Sequence, residues 1–506
     1  MTRKLGRNGL KNALRLAWVL ITLWFELGTF YSAQKACSWL DAEFSIGSNL
    51  THVLVIADPQ ILDHRSYPDR NVLLQYLSQV IVDLNLRKNW RSALRSRPDV
   101  VLFLGDMMDG GRVDMSDSEY EAYYRRFLSI FKLDEEIPRY TIPGNHDIGL
   151  GSHSWFSPKA YERYISHFGP LNFDVTIGNH TFVFLNGPSL VEEDYKRHGY
   201  RIGYDQWNPI PGGTIDFVKR FAKKEQERPV ILLNHIPLSR PEGSYCGPLR
   251  ERGSIHRGVG IGYQNTLGKD SSRFLLESLK PVLVLSGDDH DYCDYTHVLS
   301  TSDNATQIRE VTVKSLSMAM GIRRPGYQML SLASGEGSTP GFIAAPCVMP
   351  DQLGIYLSGY IPLVILSVLG ILAYHVVQRV FSHKRVRPLT SRQRSRSNEK
   401  AYSHRREVRL RAVGFSEGSY SLKGFEDEET GYSAPLPMRS TGTRKPPPSR
   451  DRRDGTSSCG MTFSCLTLLC LRRGTFVGDF LRDVRDVAIF PLTVLFLLSL
   501  WILTDS

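Results

Sequence analysis

The chain has 506 residues, enough for one large domain or two ordinary ones, and carries a net charge of +10. Residues 379–486 hold 23 Lys and Arg against 12 Asp and Glu, so the rest of the chain is close to neutral. Because the basic character belongs to this one segment, it gives no support for nucleic-acid binding by the remainder of the chain.

The first apolar stretch, LRLAWVLITLWFELGTFY, covers residues 14–31 and follows a basic N-terminal segment, residues 1–13. A signal peptide would have a shorter apolar core and a clear small-residue cleavage site, so an uncleaved membrane anchor is the favoured interpretation. Glu26 lies inside this stretch. It is tolerable there if it faces another helix or lies near the membrane surface.

Residues 32–352 alternate between short β-rich runs and helical stretches, which predicts an α/β domain. The predicted strands are 52–58, 99–106, 140–147, 182–187, 229–235, 281–290, 307–315 and 327–333, and the predicted helices are about 70–95, 117–132, 158–168 and 270–279. Many of the strands end in a polar turn. In open α/β sheets, ligands bind at such strand ends.

A second apolar stretch, 353–378, is long enough to span a membrane, and a third, 487–503, is a probable span that could instead form a hairpin or an interfacial helix. Residues 379–486 between them are basic and largely disordered by composition. The positive-inside rule places this segment and the N-terminus in the cytosol, and therefore 32–352 in the lumen. The three glycosylation sequons, at Asn49, Asn179 and Asn304, all fall in the lumenal part.

Seven cysteines divide between the two sides. The lumenal four could form disulfides in three possible pairings, and spacing does not choose among them; they are Cys37, Cys246, Cys293 and Cys347. The cytosolic three could be palmitoylated or remain unmodified thiols; they are Cys459, Cys465 and Cys470.

Five predicted strands deliver Asp, Asn or His at the same end. These residues are Asp58, Asp106, Asn145 with His146, His235, and Asp288 with His290. Taken singly, an Asp after a strand is usually a turn or cap residue, and a lone His is usually structural. Taken together they indicate a pair of divalent cations that clamp a phosphoryl group, with Asp106 as the bridging carboxylate. The ions would also offset the repulsion in the sequence DDHD, residues 288–291.

The ordered motifs IADPQ, GDMMD, GNHD, LLNH and GDDH resemble those of the calcineurin-like metallophosphoesterase superfamily over about residues 52–300. The resemblance implies an α/β fold in which a sandwich of two mixed β-sheets is flanked by helices, here with transmembrane helices added. The stretches IADPQILDHRSYPDR, SGDDHDYC and EVTVKSLSMAMGI look most like a fungal membrane-bound branch that remodels GPI anchors.

By position, the resemblance implies that Asp58, Asp106 and His290 hold one metal ion, and that Asp106, Asn145, His235 and Asp288 hold the other. His146 would stabilise the phosphate and assist the leaving oxygen, while a water activated by the ions attacks phosphorus. Asp109 and Asp147 would orient the ligands.

Two positions depart from the superfamily pattern. Gln60 stands where D-x-H has a histidine, and Asp288 stands where G-H-x-H has one. Gln60 remains an uncertain ligand. Both changes replace nitrogen by oxygen, which makes Mn²⁺ or Mg²⁺ more plausible than Zn²⁺, with Mn²⁺ favoured.

The sequence therefore predicts a metal-dependent phosphodiesterase in the membrane of the endoplasmic reticulum or early Golgi. The resemblance implies that it removes an ethanolamine phosphate side group from a mannose of a GPI lipid or GPI-anchored protein. Two alternatives are the same chemistry on another lumenal phosphoester, and a non-catalytic trafficking or cargo-binding module on the same fold. No nucleic-acid partner is expected.

Overall fold

The computed structural model describes residues 6–44, 49–300, 305–334, 341–385 and 475–504. The described residues fall into two compact units, one within 1–368 and 485–506 and the other within 369–484. The predictions made for the basic segment, for its three cysteines and for Asn304 lie largely or wholly outside the described residues.

Thirteen strands are found in the described part of the chain. In chain order they are β1 (Asn49–Ile56), β2 (Val100–Phe103), β3 (Arg139–Thr141), β4 (Phe173–Ile177), β5 (His180–Leu185), β6 (Val230–Asn234), β7 (Val259–Gly260), β8 (Tyr263–Gln264), β9 (Leu283–Ser286), β10 (Cys293–Ser300), β11 (Ala305–Thr312), β12 (Gly326–Ser334) and β13 (Phe342–Val348).

The helices are α1 (Arg7–Leu23), α2 (Thr29–Lys35), α3 (Val72–Leu94), α4 (Asp117–Ile130), α5 (Asn145–Ile148), α6 (Ala160–Phe168), α7 (Gly187–Gly199), α8 (Thr214–Ala222), α9 (Lys269–Leu279), α10 (Gln352–Gly354), α11 (Ile361–Arg385) and α12 (Phe476–Thr504). All eight predicted strands and all four predicted helices are found within a few residues. The prediction missed β4, β7, β8, β10, β13, α7 and α8, and it extended the strand at β3 over residues 145–147, which instead begin α5.

Two mixed sheets form the domain, as predicted. The first has the order β13-β12-β1-β2-β3, with β1, β2 and β3 parallel, and the second has the order β10-β11-β9-β6-β5-β4, with β11, β9, β6 and β5 parallel. In both sheets the parallel strands run side by side, so their carboxyl ends lie along one edge.

The two sheets pack face to face. Val53 and Val55 of β1 face the second sheet, while Leu54 and Ile56 face the outer layer of α3, α4 and α6. The second sheet is covered on its outer face by α7, α8 and α9. Both faces of the inner strands are therefore buried, which explains why they read as continuous apolar runs rather than as alternating patterns.

Within the described residues, three helical stretches are long and apolar enough to cross a membrane, and for that property alone they are called the first, second and third membrane helix: Arg7–Lys35, Gln352–Phe381 and Phe476–Thr504. The first two each contain one π-helical turn, Trp24–Gly28 and Ile355–Tyr360. All three extend beyond the apolar stretches seen in the sequence. Helical geometry continues through their charged ends because backbone hydrogen bonding does not require apolar side chains.

Two disulfides select one of the three possible pairings. Cys37 after α2 is bonded to Cys347 at the end of β13, and Cys246 is bonded to Cys293 at the start of β10. The first closes a loop across 310 residues and so ties the end of the first membrane helix to the edge of the first sheet.

Glu26 has a partner that the sequence did not identify. The Nζ of Lys88, on α3, lies 2.8 Å from Glu26 Oε2 and 2.7 Å from Gln352 Oε1. The Tyr360 hydroxyl donates to Glu26 Oε1 at 3.0 Å. Glu26 and Lys88 are both buried, so the pair fastens the first two membrane helices to the α/β domain.

Removing one partner of this pair should destabilise the protein strongly, because the other charge would stay buried without compensation. We expect Lys88→Met to cost about 3–5 kcal/mol of stability. The measurement is the Tm for thermal unfolding of the purified full chain in detergent, with tryptophan fluorescence as the signal. The double variant Glu26→Gln/Lys88→Met should recover most of the lost Tm; equal Tm values for the single and double variants would contradict this assignment.

Candidate metal centre

The predicted ligands converge at the shared carboxyl edge of the sheets. Asp58 follows β1, Asp106 follows β2 and His290 follows β9. Ligand atoms of these three residues lie within 4.8 Å of one another, and both carboxylates are fully buried. This group corresponds to the first predicted metal position.

The second predicted group surrounds Nε2 of His235, which follows β6. This atom lies 3.1 Å from Asn145 Oδ1, 3.5 Å from Asp106 Oδ1 and 3.5 Å from Asp288 Oδ1. Ligands bound at about 2.1 Å to one ion, at right angles, are roughly 3 Å apart, so this spacing suits a shared cation. Asp106 belongs to both groups, as a bridging carboxylate must.

The ligands are held in backbone conformations that few residues adopt. Asp58, Gln60, Asp106, Asp288 and His290 all have positive φ, between 35° and 67°. Such geometry costs of order 1–3 kcal/mol for a non-glycine residue and persists only where the surroundings impose it. Five such residues in one pocket indicate that the backbone is held in this form by a functional requirement.

Two glycines allow the ligand loops to approach each other. A Cβ on Gly144 would lie 2.0 Å from Asp106 Oδ1, and a Cβ on Gly105, at φ +93°, would lie 2.5 Å from His235 Nδ1. Neither clash could be relieved without moving a ligand, so glycine is required at both positions.

Unsatisfied oxygen atoms in the pocket fit a bound cation. Asp58 Oδ2 and Gln60 Oε1 are buried and accept no hydrogen bond from any described residue. The Gln60 amide nitrogen donates to Asp106 Oδ2 at 3.0 Å, which leaves its oxygen as the free atom. Buried oxygen atoms without a donor are rare in proteins, and a metal ion would satisfy both.

The titratable groups of the pocket have strongly perturbed pKa values. Burial raises the pKa of Asp58 well above its usual value, and the nearby Asp106 and Asp288 carboxylates add to this rise. Burial opposes ionisation of Asp106 too, but His235 and His146 outweigh it and lower its pKa. For His235, burial lowers the pKa, yet the carboxylates raise it well above its usual value. A protonated His235 supplies positive charge that bound ions would replace.

His146 lies beside the ligands. Its backbone N–H donates to Asp106 Oδ1 at 2.8 Å, and its ring Nδ1 lies 2.7 Å from the Asp109 carbonyl and 3.3 Å from Asp109 Oδ1. Burial lowers the pKa of His146, but the Asp106 and Asp109 carboxylates raise it to about 8. Asp109 therefore orients the ring and favours its protonated form, while Nε2 is left for a substrate.

Asp147 and Arg112 hold the ligand loops together. Asp147 accepts hydrogen bonds from the backbone N–H groups of Met108 and Gly144, at 3.2 and 2.9 Å. Arg112, which the sequence analysis did not single out, donates from Nη1 to the carbonyls of Asn145 and Gly262. Nothing in the spacing of Arg112 signals this contact, because Gly262 lies 150 residues away.

The crowded aspartates of residues 288–291 have different partners. Asp289 forms an ion pair with Arg250, and Asp291 forms one with Lys314. Among these three aspartates, Asp288 alone is within 4 Å of His235. Two of the three charges are thus compensated by protein cations, and one is directed to the predicted metal pocket.

Comparisons with known proteins agree with this geometry. The Calcineurin-like phosphoesterase family matches residues 51–292. Cell division control protein 1 of Saccharomyces cerevisiae is 35% identical over 364 residues, covering 67% of this chain and 71% of that protein. The Metallophosphoesterase 1 homolog of Caenorhabditis elegans is 26% identical over 355 residues, covering 69% and 88%. Metallophosphoesterase 1 of Xenopus laevis is 25% identical over 410 residues, covering 73% and 91%.

The yeast protein and this chain match over about two thirds or more of both lengths. The region matched by the family, residues 51–292, contains every predicted ligand. The chain belongs to the calcineurin-like metallophosphoesterase family, which uses divalent metal ions, and is a hydrolase that acts on phosphoester bonds.

Proposed function

We propose that this chain is a phosphodiesterase that removes an ethanolamine phosphate side group from a mannose of GPI anchors, in the endoplasmic reticulum or early Golgi. The observation that carries the chemistry is the convergence of two ligand groups that share Asp106. The substrate rests on the resemblance of the motifs around Asp58 and Asp288 to the fungal GPI-remodelling branch, and on helices able to anchor the domain at a membrane.

In this proposal Asp58, Asp106 and His290 hold one ion, and Asp106, Asn145, His235 and Asp288 hold the other. Mn²⁺ is the proposed metal, because Asp288 and the free oxygen of Gln60 add oxygen ligands where the common pattern has imidazoles. When bound, the ions supply Lewis-acid activation of the phosphoester and of the attacking water.

The protein's own groups bind and protonate the substrate. His146, held by Asp109 and favoured in its protonated form, places a positive charge beside the phosphate and can donate its Nε2 proton to the departing sugar oxygen. Arg112 donates from Nη1 to the Asn145 carbonyl and so helps to hold the loop that carries Asn145 in place.

A lumenal site is supported by the two disulfides, which form and persist in oxidising compartments. It is also supported by the sequon at Asn49, whose side chain is exposed in β1. Asn179, in the turn between β4 and β5, is half-buried and makes a poorer glycosylation site.

We expect Asp106→Asn to lower kcat at least about 10²-fold, since loss of a residue that merely orients a metal ligand already costs 10–100-fold. The measurement is hydrolysis of bis(p-nitrophenyl) phosphate by the purified chain with Mn²⁺, together with metal content by mass spectrometry. Asp114→Asn, an exposed carboxylate in the same loop, is the matched control and should change neither quantity. Full activity in Asp106→Asn would remove it as the bridging ligand.

His146→Ala should keep its metal content but lose about 10²–10⁴-fold in kcat, the usual contribution of a general acid. Metal content and kcat are measured on the same preparation. A loss of bound metal in this variant would show that His146 is a ligand and that its proposed role is wrong.

The substrate is tested by comparing the masses of GPI glycans from cells with and without this protein. We expect the anchors to gain one ethanolamine phosphate in its absence, and expect the wild type and Asp114→Asn, but not Asn145→Ala, to reverse the gain. Unchanged anchors, combined with Mn²⁺-dependent hydrolysis of bis(p-nitrophenyl) phosphate in vitro, would preserve the chemistry and reject the GPI substrate.

A further inference from the structure

One stripe of α3 faces the membrane helices. Residues 74, 77, 81, 84, 88, 91 and 95 recur at three- and four-residue intervals and so lie on the same side of the helix. In the C-terminal half of the stripe, Lys88 contacts Glu26 and Gln352 of the first two membrane helices.

The third membrane helix meets the same side. Arg91 donates to the carbonyl of Ile502 at 3.1 Å and lies 5.0 Å from the centre of the Trp501 ring. The C-terminal half of α3 is therefore seated on all three membrane helices at their ends nearest the α/β domain.

The N-terminal half of the same stripe is exposed and apolar. Leu74, Leu77 and Ile81 are 49%, 42% and 39% exposed, and the neighbouring Leu73 and Tyr76 are more exposed still. Leaving such side chains in water forgoes the favourable free energy that their burial in an apolar environment would give. A contiguous apolar patch of this kind marks an interaction surface.

A groove of about 510 Å³ opens beside this patch. It is lined by Ile81 and Val82 of α3 and by Leu353 and Leu357 at the start of the second membrane helix. Arg70 and Arg323 also line it, the latter paired with Asp351. The groove thus combines apolar walls with cationic groups at a membrane helix.

We infer that the patch and the groove dock on bilayer lipid: residues 73–81 of α3 insert into the leaflet next to the α/β domain, and a glycerophospholipid occupies the groove. The occupant follows from continuity. The C-terminal half of this face of α3 packs on the membrane helices, and the N-terminal half continues the same face past them. It should therefore meet the lipid that surrounds those helices. Apolar walls suit an acyl chain, and Arg70 and Arg323 suit its phosphate.

This docking would hold the metal centre close to the bilayer. The loop of residues 59–71 connects Asp58 directly to the N-terminus of α3. Insertion of α3 would therefore bring phosphoesters carried on lipids within reach of the site, whichever lipid-linked substrate the enzyme uses.

The test is spin labelling of the full chain in phosphatidylcholine vesicles. Cys459, Cys465 and Cys470 are replaced by Ser, the four disulfide-bonded cysteines are kept, and a nitroxide is attached to Leu77→Cys or, as a control, Val298→Cys. Val298 is 62% exposed on β10, in the second sheet, whereas α3 covers the outer face of the first. Both positions are exposed, so labelling should leave the fold intact.

We expect the label at position 77 to collide with oxygen, which concentrates in lipid, several-fold more than with a water-soluble nickel chelate, and the label at 298 to show the reverse. Preference for the nickel chelate at both positions would overturn the inference. Dipolar broadening between labels at position 77 would also overturn it, because a second copy of the chain would then occupy the patch.

Discussion

Asp58, Asp106 and Asp288 lie together at the edge of two packed sheets, where three negative charges repel one another at low dielectric. Part of this repulsion is relieved within the protein, since burial raises the pKa of Asp58 and the surrounding carboxylates raise that of His235. The remaining features of the pocket serve the same constraint. Positive φ values direct the ligands inward, Gly144 lets Asp106 approach, and Asp147 joins two ligand loops. Attraction between bound cations and the carboxylates would offset the repulsion and the backbone strain of this arrangement.

Helix α3 and the segment that follows β11 also connect the site to the membrane helices. Asn89 of α3 donates to the Leu316 carbonyl at 2.8 Å, and Leu316 N–H donates to Ala57. Ser315 donates to the carbonyl of Asp58 at 2.7 Å. Two hydrogen bonds therefore link α3, the helix that carries Lys88, to the segment that holds Asp58. These bonds restrict movement of α3 relative to the predicted ligands.

The convergence of these side chains was predictable from sequence because each follows a short apolar run that is typical of a buried strand, and parallel strands end at one edge. The strand ends and the residues that follow them are local features. Partners that lie far apart in the chain were not predictable, among them Cys37 with Cys347, Lys88 with Glu26, and Arg112 with Gly262. Contacts between residues far apart in the chain depend on how the elements pack, and a single sequence does not reveal that packing.

Some misses had a readable signal. The helix α7 begins with Asn186 capping the Ser189 N–H and with Pro188 in its first turn, both typical helix starts. The helix was missed because its sequence is mostly polar and its apolar residues show only a weak helical period. The strand β10 also had a signal, since CDYTHVLS directly follows the ligand turn and contains Tyr, Thr and Val, which are enriched in strands.

The two amides in the site act alike, and this bears on the substrate. The amide nitrogen of Gln60 donates to Asp106 and that of Asn145 to Gly262, so in each case the oxygen is the atom left for a cation. Neutral amides leave three carboxylates as the formal negative charge, against four positive charges from two divalent ions. Ions and carboxylates together would then carry about one positive charge, one fewer than with histidine at position 288, and protonated His146 adds the same charge in both cases. Losing one positive charge weakens the attraction of a doubly charged monoester about twice as much as that of a singly charged diester. The replacement at Asp288 thus shifts the site towards diesters on electrostatic grounds that are independent of the resemblance to any one branch of the family.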